Sequence, residues 1–431
     1  MKTIRYNERD FEQQLDPLLN RTAFDPGVEA SVADILAAVR RNGDAAVSEY
    51  ALKYDDVRLS ADEFRVDEDT VTGATQEVPV AQRKAIRKAC AQIKDFSKQR
   101  IPKPWSYAPR RGVVLGERFA PLSRVAAYVP GGTAPLVSTV LHTVTLAAVA
   151  NVPEIVVITP PGPEGRVHPA ILYAAQYAGA TEIYRIGGVY GIGAVAYGTE
   201  TVRQVEKIVG PGNAYVTAAK RQVYGHVSLD LVAGPSEIMV IADETADPRY
   251  VAADMLSQAE HGSGHEQAVL VTTDEGMVEA VRRELQVQGG RLKRQNCVRK
   301  VLEEGVFLIV VESREQAAEL ASMYAPEHLE IMVHRAGTLA KQVTAAGAIF
   351  LGSWTPEPVG DFVAGPSHVL PTGGAARYFN GLTVESFFRR MSILNYQKSA
   401  LEKELDAMTG FAESEGLDAH GTSASIRFDD E

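Results

Sequence analysis

The chain has 431 residues, with 44 Lys and Arg against 55 Asp and Glu, a net charge of −11. At 45% hydrophobic and 23% charged residues it carries enough apolar material for a large core, which excludes disorder as an overall description. The acidic balance excludes the basic stripe that a nucleic-acid binder needs, and the basic run 291–294 reads as a solvated face. Cys90 and Cys297 offer neither a disulfide framework nor a C-x-x-C motif. Residues 1–10 alternate charges without a signal-peptide core, and the richest apolar stretch, 139–157, is interrupted by His142, Asn151, Pro153 and Glu154. The expectation is a cytoplasmic protein with neither a nucleic-acid nor a membrane partner.

Residues 1–100 are charge-rich and helical in pattern, notably 32–54 and 80–101. Prolines at 102, 104 and 109 mark a change. From Arg124 onward, β-branched runs at 125–129, 155–159, 182–186, 207–209, 238–242, 268–272, 306–311, 330–333 and 348–351 alternate with helical segments. That alternation predicts βαβ units and mainly parallel sheets. The number of strands predicts two Rossmann-like α/β domains, with a boundary near Ser236.

Gly-rich turns follow several strands. Gly191-Ile192-Gly193-Ala194-Val195-Ala196 fits a G-x-G-x-x-[GA] fingerprint, yet no acid follows where a ribose would be read. Helix–strand packing explains those glycines equally well. Tyr128-Val129-Pro130-Gly131-Gly132 and Gly210-Pro211-Gly212-Asn213 also follow strand ends, where open α/β sheets bind ligands.

Asp247-Pro248 predicts a helix start. At 100° per residue Gln258 falls on the buried stripe with Val251 and Met255, and His261 lies one turn on. A buried amide and imidazole together need a partner. His265 reads as a surface residue. Glu327-His328 sits at an element junction, with an acid beside an imidazole, poised for proton transfer or simply structural. Residues 352–374 contain nine Gly or Pro, which argues against regular secondary structure; this segment carries Asp361 and His368. Glu415 and His420 add an acid and a histidine near the C-terminus. With no thiolate ligand, Gln and Asp oxygens and His nitrogens suit zinc or manganese.

Taken together, these segments closely resemble the histidinol dehydrogenase family. The resemblance rests on Pro121–Arg124, Tyr128–Gly132, Lys207–Asn213, Ala233–Glu237, Ser257–Gly262, Ala325–His328, Gly360-Asp361 and His368–Gly374, and it spans nearly the whole chain. It implies an NAD-dependent four-electron oxidation of L-histidinol, through histidinal, to L-histidine. It also implies one Zn2+ per subunit (Mn2+ a possible substitute) on Gln258, His261, Asp361 and His420, with Glu327 and His328 handling protons. By the same resemblance Ser236, His368 and Glu415 join the metal ligands and His328 in contacting the small-molecule substrate. Tyr128, Tyr190 and Asn213 fall on the NAD side. Tyr190 departs from the family, which usually has glutamine there, and Gly191 and Gly193 stand where alanines are commoner. A dehydrogenase of another polar alcohol, such as sulfopropanediol, is the same-family alternative, disfavoured by Ser236 and Glu415. A metallohydrolase using Glu327 is the alternative from another class.

The expected organisation is a helical arm at 1–24, a first α/β domain at 25–127 and 237–379, and a second at 128–236. Residues 380–431 form a small C-terminal domain that lacks β/α alternation. In the family this tail reaches into the partner's crevice of a homodimer with composite active sites; folding back on its own chain is the plain alternative.

Overall fold

The computed structural model describes residues 1–21, 26–131, 135–232 and 234–429. Gly132 and Ala233 of the quoted motifs, and residues 22–24 of the expected arm, lie outside them. The chain divides into two units, one of residues 1–100 and 122–387, the other of residues 101–121 and 388–431.

The first unit holds two parallel sheets. Across the larger run Lys2–Arg5, Val306–Val310, Gln267–Thr272, Glu237–Ala242, His328–Met332 and Ala348–Leu351. Every pairing in it is parallel. Its inner strands are buried and mostly apolar because cores cover both faces. The two-residue period sends Ile238 and Val240 toward Val251 and Met255 of the helix Pro248–Ala259. Met239 and Ile241 go the other way, toward Ala321 and Tyr324 of the helix Arg314–Tyr324. Strand order reverses between Glu237–Ala242 and His328–Met332.

The smaller sheet runs Glu182–Tyr184, Glu154–Ile158, Arg124–Tyr128, Lys207–Val209, Ser228–Leu229, again parallel. Its order reverses between Arg124–Tyr128 and Lys207–Val209, beside Tyr128 and Gly210. Two parallel α/β sheets are therefore present as expected.

Several details differ from the sequence reading. The arm is not wholly helical: Lys2–Arg5 is an edge strand, and only Ile4 of it is fully buried, too little for a pattern to register. The helical segment Pro26–Asp55, kinked at Gly43 (φ 52°), buries Val32, Ile35, Leu36 and Val39 in the core of the smaller sheet, not the larger. Arg124–Tyr128 is the central strand of that smaller sheet, so the expected boundary at 127/128 would cut it. The strand carrying His328 begins at that residue, two positions before the expected start.

The second unit is built on an antiparallel sheet of Trp105–Arg110, Val113–Pro121 and Phe388–Tyr396, followed by the helices Leu405–Glu415 and Asp418–Ser425. The C-terminal segment thus takes its partner strands from residues 101–121, which sequence patterning left unassigned. Pro109 lies in the edge strand, where register is irregular between Tyr107 and Arg110, a place proline is tolerated. Among the described residues no helix is long and apolar enough to cross a membrane.

At the amino-terminal edge of the smaller sheet, Arg124 joins three strands. Its Nη1 lies 2.7 Å from both Glu154 Oε2 and Glu182 Oε1, and Nη2 2.9 Å from Glu182 Oε2. This pairing holds the Glu182 carboxyl down at about 2, from an ordinary 4.5. With the folded value below the unfolded one, the contribution is present above pH 4.5 and disappears as pH falls toward 2. Glu182→Gln is expected to cost about 2 kcal/mol at neutral pH, between exposed and buried pairs. Denaturant titrations of both proteins should show the gap closing below pH 4.5.

Candidate active site

The helix Pro248–Ala259 starts as the sequence predicts, with Asp247 accepting from the Arg249 N–H at 2.9 Å and proline in the first turn. Its inward stripe brings Gln258 to 0% exposure, and neither amide atom of that side chain has a hydrogen-bond partner among the described residues. His261 follows immediately after the helix, with Nδ1 3.2 Å from the carbonyl oxygens of Ser257 and Gln258. Carbonyls only accept, so Nδ1 carries the proton and Nε2 keeps its lone pair.

Because helix and strand run oppositely, this helix end lies at the amino-terminal ends of the larger sheet's strands. There Glu327 and His328 bracket the backbone of one residue. Glu327 Oε2 accepts the Glu237 N–H at 3.0 Å, and His328 Nδ1 donates to the Glu237 carbonyl at 3.0 Å. His328 Nε2 makes no hydrogen bond; it stands 3.5 Å from Asp361 Oδ1 and 3.8 Å from Glu357 Oε1.

Asp361 was expected in an irregular segment. The structure instead forms a short helix, Glu357–Phe362, because Pro356 and Pro358 fall at its start, where a missing N–H costs nothing. Glu357 and Asp361 therefore share one face, four residues apart. Glu357 is buried, accepts from Ser257 Oγ at 2.8 Å, and has no donor on Oε1. Sequence reasoning missed it, although Pro-Glu-Pro with an acid four residues on carries the signal. One ligand atom each from His328, Glu357 and Asp361 lie within 4.8 Å of one another, enough to hold a cation.

His368 lies beside this group, with Nδ1 4.0 Å from Asp361 Oδ1 and Nε2 3.4 Å from Thr139 Oγ1. His142, which sequence analysis treated only as an interruption, stacks on it with ring centroids 4.6 Å apart. Ser236, half-buried, directly precedes Glu237. Arg21 lies 2.9 Å from the buried Glu237 carboxylate.

Burial pushes Glu327 up to about 8 and Glu357 to about 8, the latter helped by Asp361. Burial opposes charge on His328, but Glu327, Asp361 and Glu357 overcome it and raise the imidazole to about 10. Asp361 is held far down in spite of burial by His328 and His368. Burial, with His328 and His261 nearby, lowers His368.

On the other sheet, Tyr128 is buried at a strand end, and Asn213 caps the helix Ala214–Val223, accepting from the Val216 N–H at 3.1 Å. Tyr190 is 2% exposed in the core, its hydroxyl donating to Asp55, so it does not present a free hydroxyl to solvent. A cavity of about 380 Å³ opens at the carboxyl ends of this sheet, lined in part by Gly131, Thr159, Pro160 and Arg185. It lies away from the acid cluster. Glu415 and His420 belong to the second unit, where both are exposed.

Residues 20–428 match the family model of histidinol dehydrogenase. A histidinol dehydrogenase of Synechococcus sp. is 46% identical over 418 residues, 96% of each chain, and one of Heliobacterium mobile is 43% identical over 429 residues, 100% of each. The crystal structure of the histidinol dehydrogenase of Elizabethkingia anophelis superposes with a TM-score of 0.93 at 34% identity, covering 99% of this chain and 98% of the other. With this site geometry and likeness along its whole length, the chain belongs to the histidinol dehydrogenase family of oxidoreductases.

Proposed function

We propose that the protein oxidises L-histidinol to L-histidine through histidinal, with NAD as hydride acceptor and a zinc ion in the acid–imidazole pocket. The observation that carries this reading is His328: a buried imidazole with Nδ1–H fixed on a carbonyl and Nε2 unpartnered among acids. Such a group can take the hydroxyl proton as a hydride leaves. The orphaned Gln258 amide, His261 Nε2 and Asp361 fit a divalent cation of mixed oxygen and nitrogen preference, with His420 as the fourth expected ligand. Zinc there supplies Lewis acidity and orients the substrate's nitrogens, and NAD, on the side of Tyr128 and Asn213, supplies the electron sink. Glu327, Asp361 and Glu357 hold His328 toward its protonated form; a cation held by Asp361 would draw the imidazole back toward the range of a general base.

The second oxidation needs water added to the aldehyde, and Glu327, adjacent and buried, is the carboxylate placed to take that proton. Ser236, His368 and Glu415 complete the contacts to the substrate. Tyr190, tied to Asp55, acts on the NAD side from behind the crevice.

The protein is further read as a homodimer with composite sites. The second unit supports this with Leu394 and Phe411 each 70% exposed, apolar surface that a small unit does not leave in water without a partner.

The test of the reaction is stoichiometric. Metal-loaded protein should yield two NADH per L-histidinol and none after chelation; one NADH, or turnover of other alcohols only, overturns it. His328→Gln is expected to slow the first oxidation by about 10²–10⁴-fold, whereas Glu327→Gln should slow histidinal oxidation by a similar factor. Single-turnover assays on each substrate separate the two. For the dimer, His420→Ala and His328→Ala should each be nearly inactive alone. Co-expression should restore activity if the tails cross, since one intact site then forms per heterodimer. Confirmed heterodimers without recovery would exclude crossing.

A further inference from the structure

The turn 210–213 follows the strand Lys207–Val209 where the smaller sheet reverses its strand order. Gly210 adopts φ +112°, and a Cβ there would stand 2.2 Å from the Tyr128 carbonyl oxygen. The turn is thus pressed onto the end of the neighbouring strand, a conformation that favours glycine, and side chains from two other elements support it there.

That support is a buried ion pair. Asp230 Oδ2 accepts the Gly210 N–H at 2.7 Å, and Lys220 Nζ donates to the Gly210 carbonyl at 2.8 Å. Lys220 Nζ and Asp230 Oδ1 are 2.5 Å apart, with side chains 3% and 0% exposed, and Oδ1 also accepts the Leu231 N–H at 2.6 Å. Lys220 comes from the helix Ala214–Val223, which Asn213 caps, and Asp230 directly follows the strand Ser228–Leu229.

A buried pair of this kind adds little stability over apolar side chains of similar volume, because desolvation offsets the attraction. What apolar side chains cannot do is fix both backbone polar groups of one residue. We infer that Lys220 and Asp230 are positioning residues for the cofactor turn, clamping the Gly210 backbone on both sides of its Cα so that Asn213 and the first turn of its helix are presented to the dinucleotide. The inference rests on the NAD reading above.

The experiment measures binding directly. NAD and, on metal-loaded protein, L-histidinol are titrated by calorimetry into the parent and into the double variant Lys220→Met/Asp230→Leu, which removes both members of the pair together. The clamp predicts NAD binding weakened about tenfold or more, histidinol binding within about twofold, and faster amide exchange at Gly210. Unchanged NAD binding, or equal loss of both ligands, overturns the inference. Should the double variant not fold, Asp230→Asn decides. It keeps an acceptor but loses the charge, so about threefold weaker NAD binding supports the clamp and unchanged binding rejects it. A parent that binds no NAD overturns the cofactor reading and the inference with it. A binding parent with an equally binding variant overturns the inference alone.

Discussion

The backbone of one residue, Glu237, holds the site in register. The N–H of Glu237 binds the Glu327 carboxylate and its carbonyl binds the His328 imidazole. Both contacts follow from the parallel pairing that sets His328 opposite Ile238 across the reversal of strand order. Because the two side chains are adjacent in sequence, they leave opposite faces of a strand start yet close on a single neighbour. A slip of one residue would exchange their places and remove both bonds. The Glu237 side chain is in turn fixed by Arg21 and by the Gly373 N–H, which ties the residues after His368 to the same point.

Around this point the protein accumulates groups that a core otherwise avoids. Many of the buried polar atoms that lack a hydrogen-bond partner among the described residues gather here: both amide atoms of Gln258, both ring nitrogens of His142, His328 Nε2 and Glu357 Oε1. Each carries a desolvation cost without a compensating bond. Asp254 and Glu330 add a further pair of buried acids, raised to about 6 and about 10, chiefly by burial. Such a concentration costs stability, which is expected where a site serves function rather than packing.

The two sheets of the first unit contribute opposite edges. The larger brings its acid–imidazole cluster to the amino-terminal ends of its strands, the reverse of the usual placement in open α/β sheets. The smaller supplies carboxyl-terminal ends and their glycine turns. The helix Val137–Val149 belongs to the smaller sheet's side yet meets the acid cluster, through Thr139 and His142 against His368 and through the His142 carbonyl accepting from Ser367 Oγ at 3.1 Å. The acid cluster and the smaller sheet's side are thereby held by direct contact.

Much of this was legible in the chain itself. The alternating apolar runs determined two parallel sheets, since buried strands and covering helices leave distinct periods. Asp247-Pro248 and the stripe through Gln258 determined the helix and its buried amide, because capping and amphipathicity act within a few residues. The arrangement of Glu357, which needed the prolines to open a helix and not break one, was written locally but misread. Other features depend on partners distant in sequence. Ile4 joins an edge strand only because Val306–Val310 is there to pair with it. Phe388–Tyr396 becomes a strand only against Val113–Pro121, and Pro26–Asp55 selects its sheet by shape. Tyr190 meets Asp55, and Lys220 and Asp230 meet Gly210, across separations that no local pattern records. Local periodicity and capping are properties of neighbouring residues and so stand in the sequence; the pairing of edges, the closing of the acid pocket and the clamping of the turn depend on which surfaces meet, and only the packed chain decides that.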